Sequence, residues 1–160
     1  MKITNSQKYV RNSFQMCEFW KGADFDLPDC LLDGCQVIRE YFGRAMKVTS
    51  TFRPADTFGY HKEGRAVDLV TADPVQSQRV INLWNQELLN YVAGKGSALV
   101  TALRRAGVTG MGVEKTCIHI DARPPATGTR SDEFGRFTIF EFDYYISAAG
   151  KMVITKNRAL

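Results

Sequence analysis

Apolar positions recur every three or four residues in three stretches of the chain and alternate with polar ones in six others. Leu31, Cys35, Ile38 and Phe42 lie on one helical face. They predict a helix that begins at Pro28-Asp29, with Asp29 as cap, and stops at Gly43. Asp73-Pro74 starts a second helix with Val80, Trp84, Leu88 and Tyr91 along one side, broken by Gly94 and Gly96. A third, shorter helix runs from Ala98 to Ala106 and ends at Gly107. Alternating, β-branched runs predict strands over MKVTSTF (46–52), RAVDLVT (65–71), 110–114 and 117–122. RFTIFEFDYYIS and KMVIT read as closing strands around a turn at Gly150, after a loop at PPATGTR.

Helices and strands are mixed without βαβ regularity, so the expected class is α+β. The chain shows no repeat, low-complexity run or linker. We expect one domain over 1–160: an N-terminal packing segment (1–28), a core (29–125) and closing strands (126–160). In the first segment Phe14, Phe19, Trp20 and Phe25 are anchors, expected on short helical turns.

Composition narrows the function classes. An apolar fraction of 44% and a charged fraction of 24% are those of a globular protein. No window approaches the roughly 20 apolar residues of a membrane span. The opening MKITNSQKYVRNSFQ lacks the apolar centre and cleavage site of a signal peptide, which predicts synthesis in a cytosol without export by its own sequence. The net charge of +4 is spread along the chain. It favours anionic surroundings without forming the basic stripe expected of a nucleic-acid binder. Four cysteines in such a chain predict free thiols. Cys30 and Cys35, on one predicted helix, would lie roughly 8 Å apart, beyond disulfide reach.

The chemistry concentrates on the only two histidines, His61 in HKEGRAVDL and His119 in CIHIDAR. Alternation puts Cys117, His119 and Asp121 on one strand face, and Asp68 on the face opposite Val67 and Leu69. If the polar faces of these strands come together, His119 meets Asp68, and His61 folds back over them from the preceding loop. Gly64 supplies the tight turn that this needs. Two imidazoles and a carboxylate are a common catalytic zinc set, with a fourth position for water. The same set can also hold iron.

HKEGRAVDL resembles the H-x(6)-D zinc motif of the D-Ala-D-Ala carboxypeptidase and hedgehog superfamily, and EGRAVD is close to the corresponding hedgehog segment. TSTFR (49–53) is similar to the strand preceding that motif in the peptidases, and CIHIDAR to their second ligand strand. The resemblance covers roughly residues 14–125 in order, and both histidines fall on the family's histidine positions. It implies a small mixed or antiparallel sheet with helices packed on one face. It implies Zn2+ held by His61, Asp68 and His119. Arg53 matches an arginine that binds the scissile carbonyl or a nearby carboxylate, and Ser50 matches a serine that binds the substrate terminus.

The general base is where the chain departs from the family. Thr116 stands where many members carry a carboxylate, which leaves Glu114 and Asp121 as rivals. Asp121 can instead orient a ligand. Cys117 occupies the place of a second hedgehog histidine and reads as a lining residue.

The resemblance thus implies a zinc metallopeptidase that cuts a peptidoglycan stem peptide as a carboxypeptidase or endopeptidase. The missing signal peptide suits a phage-encoded lysis enzyme, a monomer, or a component of a virion assembly. A catalytically inactive zinc-containing binding module of the same fold is the alternative. Neither nucleic acid nor a membrane is expected as partner.

Overall fold

Local pairing organises the N-terminal residues, and the computed structural model describes them together with all the rest of the 160-residue chain. β1 (Lys2–Ile3), β2 (Tyr9–Arg11), β3 (Phe14–Gln15), the single turn α1 (Met16–Phe19) and β4 (Phe25–Asp26) come first. The expectation of helical turns here holds only for α1. β1 pairs with β4 and β2 with β3, so that Ile3, Phe14, Phe19 and Phe25 are buried while short ladders satisfy the backbone.

α2 (Asp29–Phe42) follows, ending at Gly43 in the left-handed conformation that favours glycine. Asp29 is its first helical residue and not its cap. Pro28 occupies the capping position, and the Asp29 carboxylate turns to the Met1 amino group at 3.2 Å. β5 (Met46–Ser50) and β6 (Ala66–Thr71) form an antiparallel pair. β5 stops two residues short of Phe52, because Thr51 leaves the ladder.

α3 (Pro74–Val92) carries the expected cap, with the Asp73 side chain accepting from the Val75 N–H. α4 (Ala98–Ala106) has the expected bounds, and β7 (Gly110–Val113) and β8 (Ile118–Asp121) fall within the two alternating stretches. The PPATGTR loop holds a 3₁₀ turn, Pro125–Thr127, and leads into a short strand, β9 (Arg130–Asp132). β10 (Gly135–Ile146) and β11 (Met152–Ala159) close the chain, the last strand running beyond KMVIT.

The result is an α+β architecture around one mixed sheet of order β11-β10-β7-β8-β6-β5, with β9 attached to β10. Only β10 and β7 run parallel, so the closing strands belong to the same sheet as the central motifs. On one face Val48, Val67, Leu69, Met111, Ile118, Ile120 and Ile139 are buried in the core with α2, α3 and α4. Each such side chain contributes roughly 1.5–3 kcal/mol by leaving water. Gly34 lets α2 come close, since a Cβ there would sit 2.8 Å from Val108 Cγ2 and 2.9 Å from Ile120 Cδ1. No helix is long and apolar enough to cross a membrane.

The opposite face is polar and small where the first is apolar and large. Strand register sets Phe140, Gly112, His119, Asp68 and Ser50 side by side in one row across it. Thr138, Gly110, Asp121 and Ala66 form the next row.

Candidate metal centre

The antiparallel pairing of β6 with β8 sets Asp68 directly opposite His119, the meeting that alternation predicted. Asp68 Oδ1 lies 2.8 Å from His119 Nδ1. His61 arrives from the turn 53–64, which closes through Arg53 N–H to the His61 carbonyl (2.8 Å) and Arg65 N–H to the Tyr60 carbonyl (2.8 Å). Gly64 ends that turn at φ +69°, and a Cβ there would meet Phe25 Cδ2 at 2.7 Å. A side chain at position 64 would therefore be both strained and overlapping. His61 Nε2 comes to 3.1 Å from Asp68 Oδ2, and the two imidazole rings meet edge to face with centroids 5.3 Å apart.

The hydrogen bonds decide which atom each ring presents. His61 Nδ1 lies 2.7 Å from the Thr51 carbonyl oxygen. A carbonyl only accepts, so Nδ1 carries a proton, and in the neutral ring Nε2 is then left as a bare lone pair. That Nε2 is buried, faces a carboxylate and has no hydrogen-bond partner. An orphaned lone pair aimed at an anion is costly unless a cation lies between them. Thr51 is held for its task by its own hydroxyl, which donates to the Phe19 carbonyl at 2.7 Å.

The second ring is bound from both sides. Its Nε2 contacts Asp121 Oδ2 at 3.1 Å. Burial alone would lower the His119 pKa, but Asp121 and Asp68 outweigh it and push it up to about 10. Burial would likewise raise the Asp68 pKa, yet the His119 and His61 imidazoles against it hold it well below the usual carboxylate range.

One ligand atom from each of His61, Asp68 and His119 lies within 4.8 Å of the others. Two imidazole nitrogens and a carboxylate oxygen suit zinc. The orphaned Nε2 and the acceptors fixed behind both rings are the arrangement that metal-ligating histidines show. These residues fit the ion that the motif implies.

Around them opens a cleft of ≈ 470 Å³ with Arg53, Tyr60, Glu114, Arg123, Phe140 and Tyr144 in its lining. Glu114 follows β7, where the Asn85 side chain on α3 grips its backbone carbonyl (2.7 Å) and N–H (3.3 Å). Burial raises its carboxyl pKa, against an opposing hydrogen bond from the Cys117 thiol. Cys117 is itself pushed up, first by burial and then by Asp68 and Glu114, so it stays a protonated lining residue.

Asp121 is differently placed. It is fully buried, and its oxygens take His119 Nε2, the Arg123 backbone N–H (3.1 Å) and the Arg123 fork (2.8 and 2.6 Å). Arg53 stands at the cleft with half its side chain exposed and its Nε 2.9 Å from Asp56. Ser50 sits beside Asp68 in the register but does not line the cleft.

Four contributors escaped the sequence reasoning. The Thr51 carbonyl is a backbone atom, and no side-chain pattern announces it. Arg123 continues the alternation of Cys117, His119 and Asp121, and extending it by one step reaches that residue. Gly110 and Gly112 lie opposite Asp121 and His119; a Cβ on Gly110 would fall 1.9 Å from Asp121 Oδ1, and one on Gly112 2.8 Å from Phe140. The GMG run was legible as a place where something else needs room.

No protein-family model matches the chain, and neither does any curated protein or solved structure.

Proposed function

We propose that the chain is a zinc-dependent peptidase acting on the stem peptides of peptidoglycan. The observation that carries this reading is the buried, unpartnered Nε2 of His61, aimed at Asp68 beside His119 within an open cleft. The likeness of HKEGRAVDL and CIHIDAR to the peptidase motifs supplies the substrate class.

His61, Asp68 and His119 would hold the ion. When bound, zinc polarises a carbonyl and lowers the pKa of water toward about 7. Glu114 is the carboxylate suited to take and return a proton, because burial raises its pKa toward the working range of a general base. Asp121 has its lone pairs committed to His119 and Arg123 and serves as an orienting group. Arg53 lies at the cleft, where a guanidinium can meet a peptide carboxylate or a developing oxyanion. Phe140, Phe142 and Tyr144 form an aromatic side of the cleft against which an extended peptide can lie.

Incubating the purified, zinc-loaded protein with peptidoglycan and measuring released peptides and D-Ala by mass spectrometry tests this. Cleavage is expected. Glu114→Gln is expected to lose on the order of 10²–10⁴ in rate with its zinc retained. Zinc at one equivalent with no cleavage would replace the peptidase by a zinc-containing binding module. Full activity in Glu114→Gln would remove the assigned base.

A further inference from the structure

Arg123 makes an unusual set of contacts for a residue that donates nothing to the ligand cluster itself. Its Nε and Nη2 fork onto the two oxygens of Asp121 at 2.8 and 2.6 Å, and its backbone N–H adds a third bond to the same carboxylate. Its guanidinium carbon lies 4.9 Å from the centre of the Tyr60 ring and 4.8 Å from that of Phe140. Each of these partners leads to a histidine. Asp121 holds His119 Nε2, Phe140 packs edge-on against the His119 ring at 5.4 Å, and Tyr60 immediately precedes His61.

We propose that Arg123 is a positioning residue that sets both histidines of the metal centre through Asp121, Phe140 and Tyr60. This rests on reading His61, Asp68 and His119 as a metal site. A free imidazole ring turns about its side-chain bonds. His119 is kept from doing so because Asp121 receives its Nε2, leaving Nδ1 as the atom facing Asp68. Asp121 is kept from turning in its own right by the planar fork of Arg123, which fixes both oxygens at once. Gly110 leaves the room that this carboxylate occupies. On the other side the guanidinium meets Tyr60, whose carbonyl accepts from Arg65 N–H and closes the turn that delivers His61. A lysine has one point charge and no plane, so it can meet the charge of Asp121 but not hold both oxygens while stacked between two rings.

The test uses zinc affinity, by chelator competition, and the visible absorption spectrum of the Co²⁺-substituted protein, which reports ligand geometry without any substrate. Arg123→Ala is expected to weaken zinc binding by about 10- to 100-fold and to alter the cobalt spectrum. Arg123→Lys is expected to recover only part of both. If Arg123→Ala does not fold, Arg123→Lys decides alone: affinity and spectrum equal to the wild type overturn the proposal. Tight binding with an unchanged spectrum in Arg123→Ala overturns it as well, while leaving the metal site standing. A wild-type protein that takes up neither ion fails earlier, at the metal site, and overturns the proposal with it.

Discussion

Two arginines in this molecule are built alike and end differently. Arg104 on α4 forks onto Asp132 at 2.8 and 3.1 Å and lies 4.4 Å from the centre of the Phe137 ring. Arg123 forks onto Asp121 and lies against Tyr60 and Phe140. Beyond its fork, Arg104 donates to the Val108 and Gly135 carbonyls, so all of its bonding returns to the scaffold. The aspartate of Arg123 passes the contact on to His119, and His119 to Asp68. A buried arginine–aspartate pair is therefore not itself a functional sign. What distinguishes the second is that its carboxylate also holds a histidine ring beside a second carboxylate, whereas the other contact of Asp132 is the Phe134 backbone N–H.

The comparison breaks most sharply at Arg104. Arg104 has 2% of its surface exposed, and removing it leaves the Val108 and Gly135 carbonyls without its N–H groups and Asp132 with only the Phe134 N–H. Arg104→Ala is expected to cost about 3–5 kcal/mol of unfolding free energy, read by denaturant titration. That is a large part of the roughly 5–15 kcal/mol of a domain. The zinc bound per folded chain should stay the same; a loss of zinc from folded Arg104→Ala would erase the distinction drawn between the pairs.

A smaller effect sharpens the other side. Gly110 has no left-handed backbone to protect, so alanine there is penalised only by the Asp121 carboxylate its Cβ would strike. Without that clash the change would stabilise by about 0.4–1 kcal/mol through the unfolded chain. Gly110→Ala is instead expected to cost about 1–3 kcal/mol and to weaken zinc binding, though it alters no charge and no ligand. Unchanged zinc affinity in a folded Gly110→Ala protein would show that Asp121 does not govern His119.

These two regions also mark what the sequence carried. Asp68 and His119 were legible because strand alternation is a period of two and places side chains on faces, and His61 because it is the only other histidine, in the loop before β6; the pairing of Asp68 with His119 follows once β6 and β8 are neighbours. The three main helices were legible from apolar spacing and their Gly and Pro boundaries. The segment 1–28 was not, since its two- and three-residue strands are too short to show a period and exist only through their partners. β9 hides in a turn-rich run for the same reason. Of the two carboxylates proposed as the base, spacing left Glu114 and Asp121 equal. They part only in three dimensions: both border the cleft, but His119 and Arg123 take up the oxygens of Asp121 and not those of Glu114.

The claim on which the rest stands is that His61, Asp68 and His119 hold a metal ion. Its most direct measurement is the metal content of purified, dialysed protein by inductively coupled plasma mass spectrometry, alongside His61→Ala. One zinc per chain is predicted for the wild type, with none in His61→Ala and an unchanged circular dichroism spectrum. A wild type that retains no divalent ion after incubation with zinc, or a folded His61→Ala that retains as much as the wild type, would contradict the account.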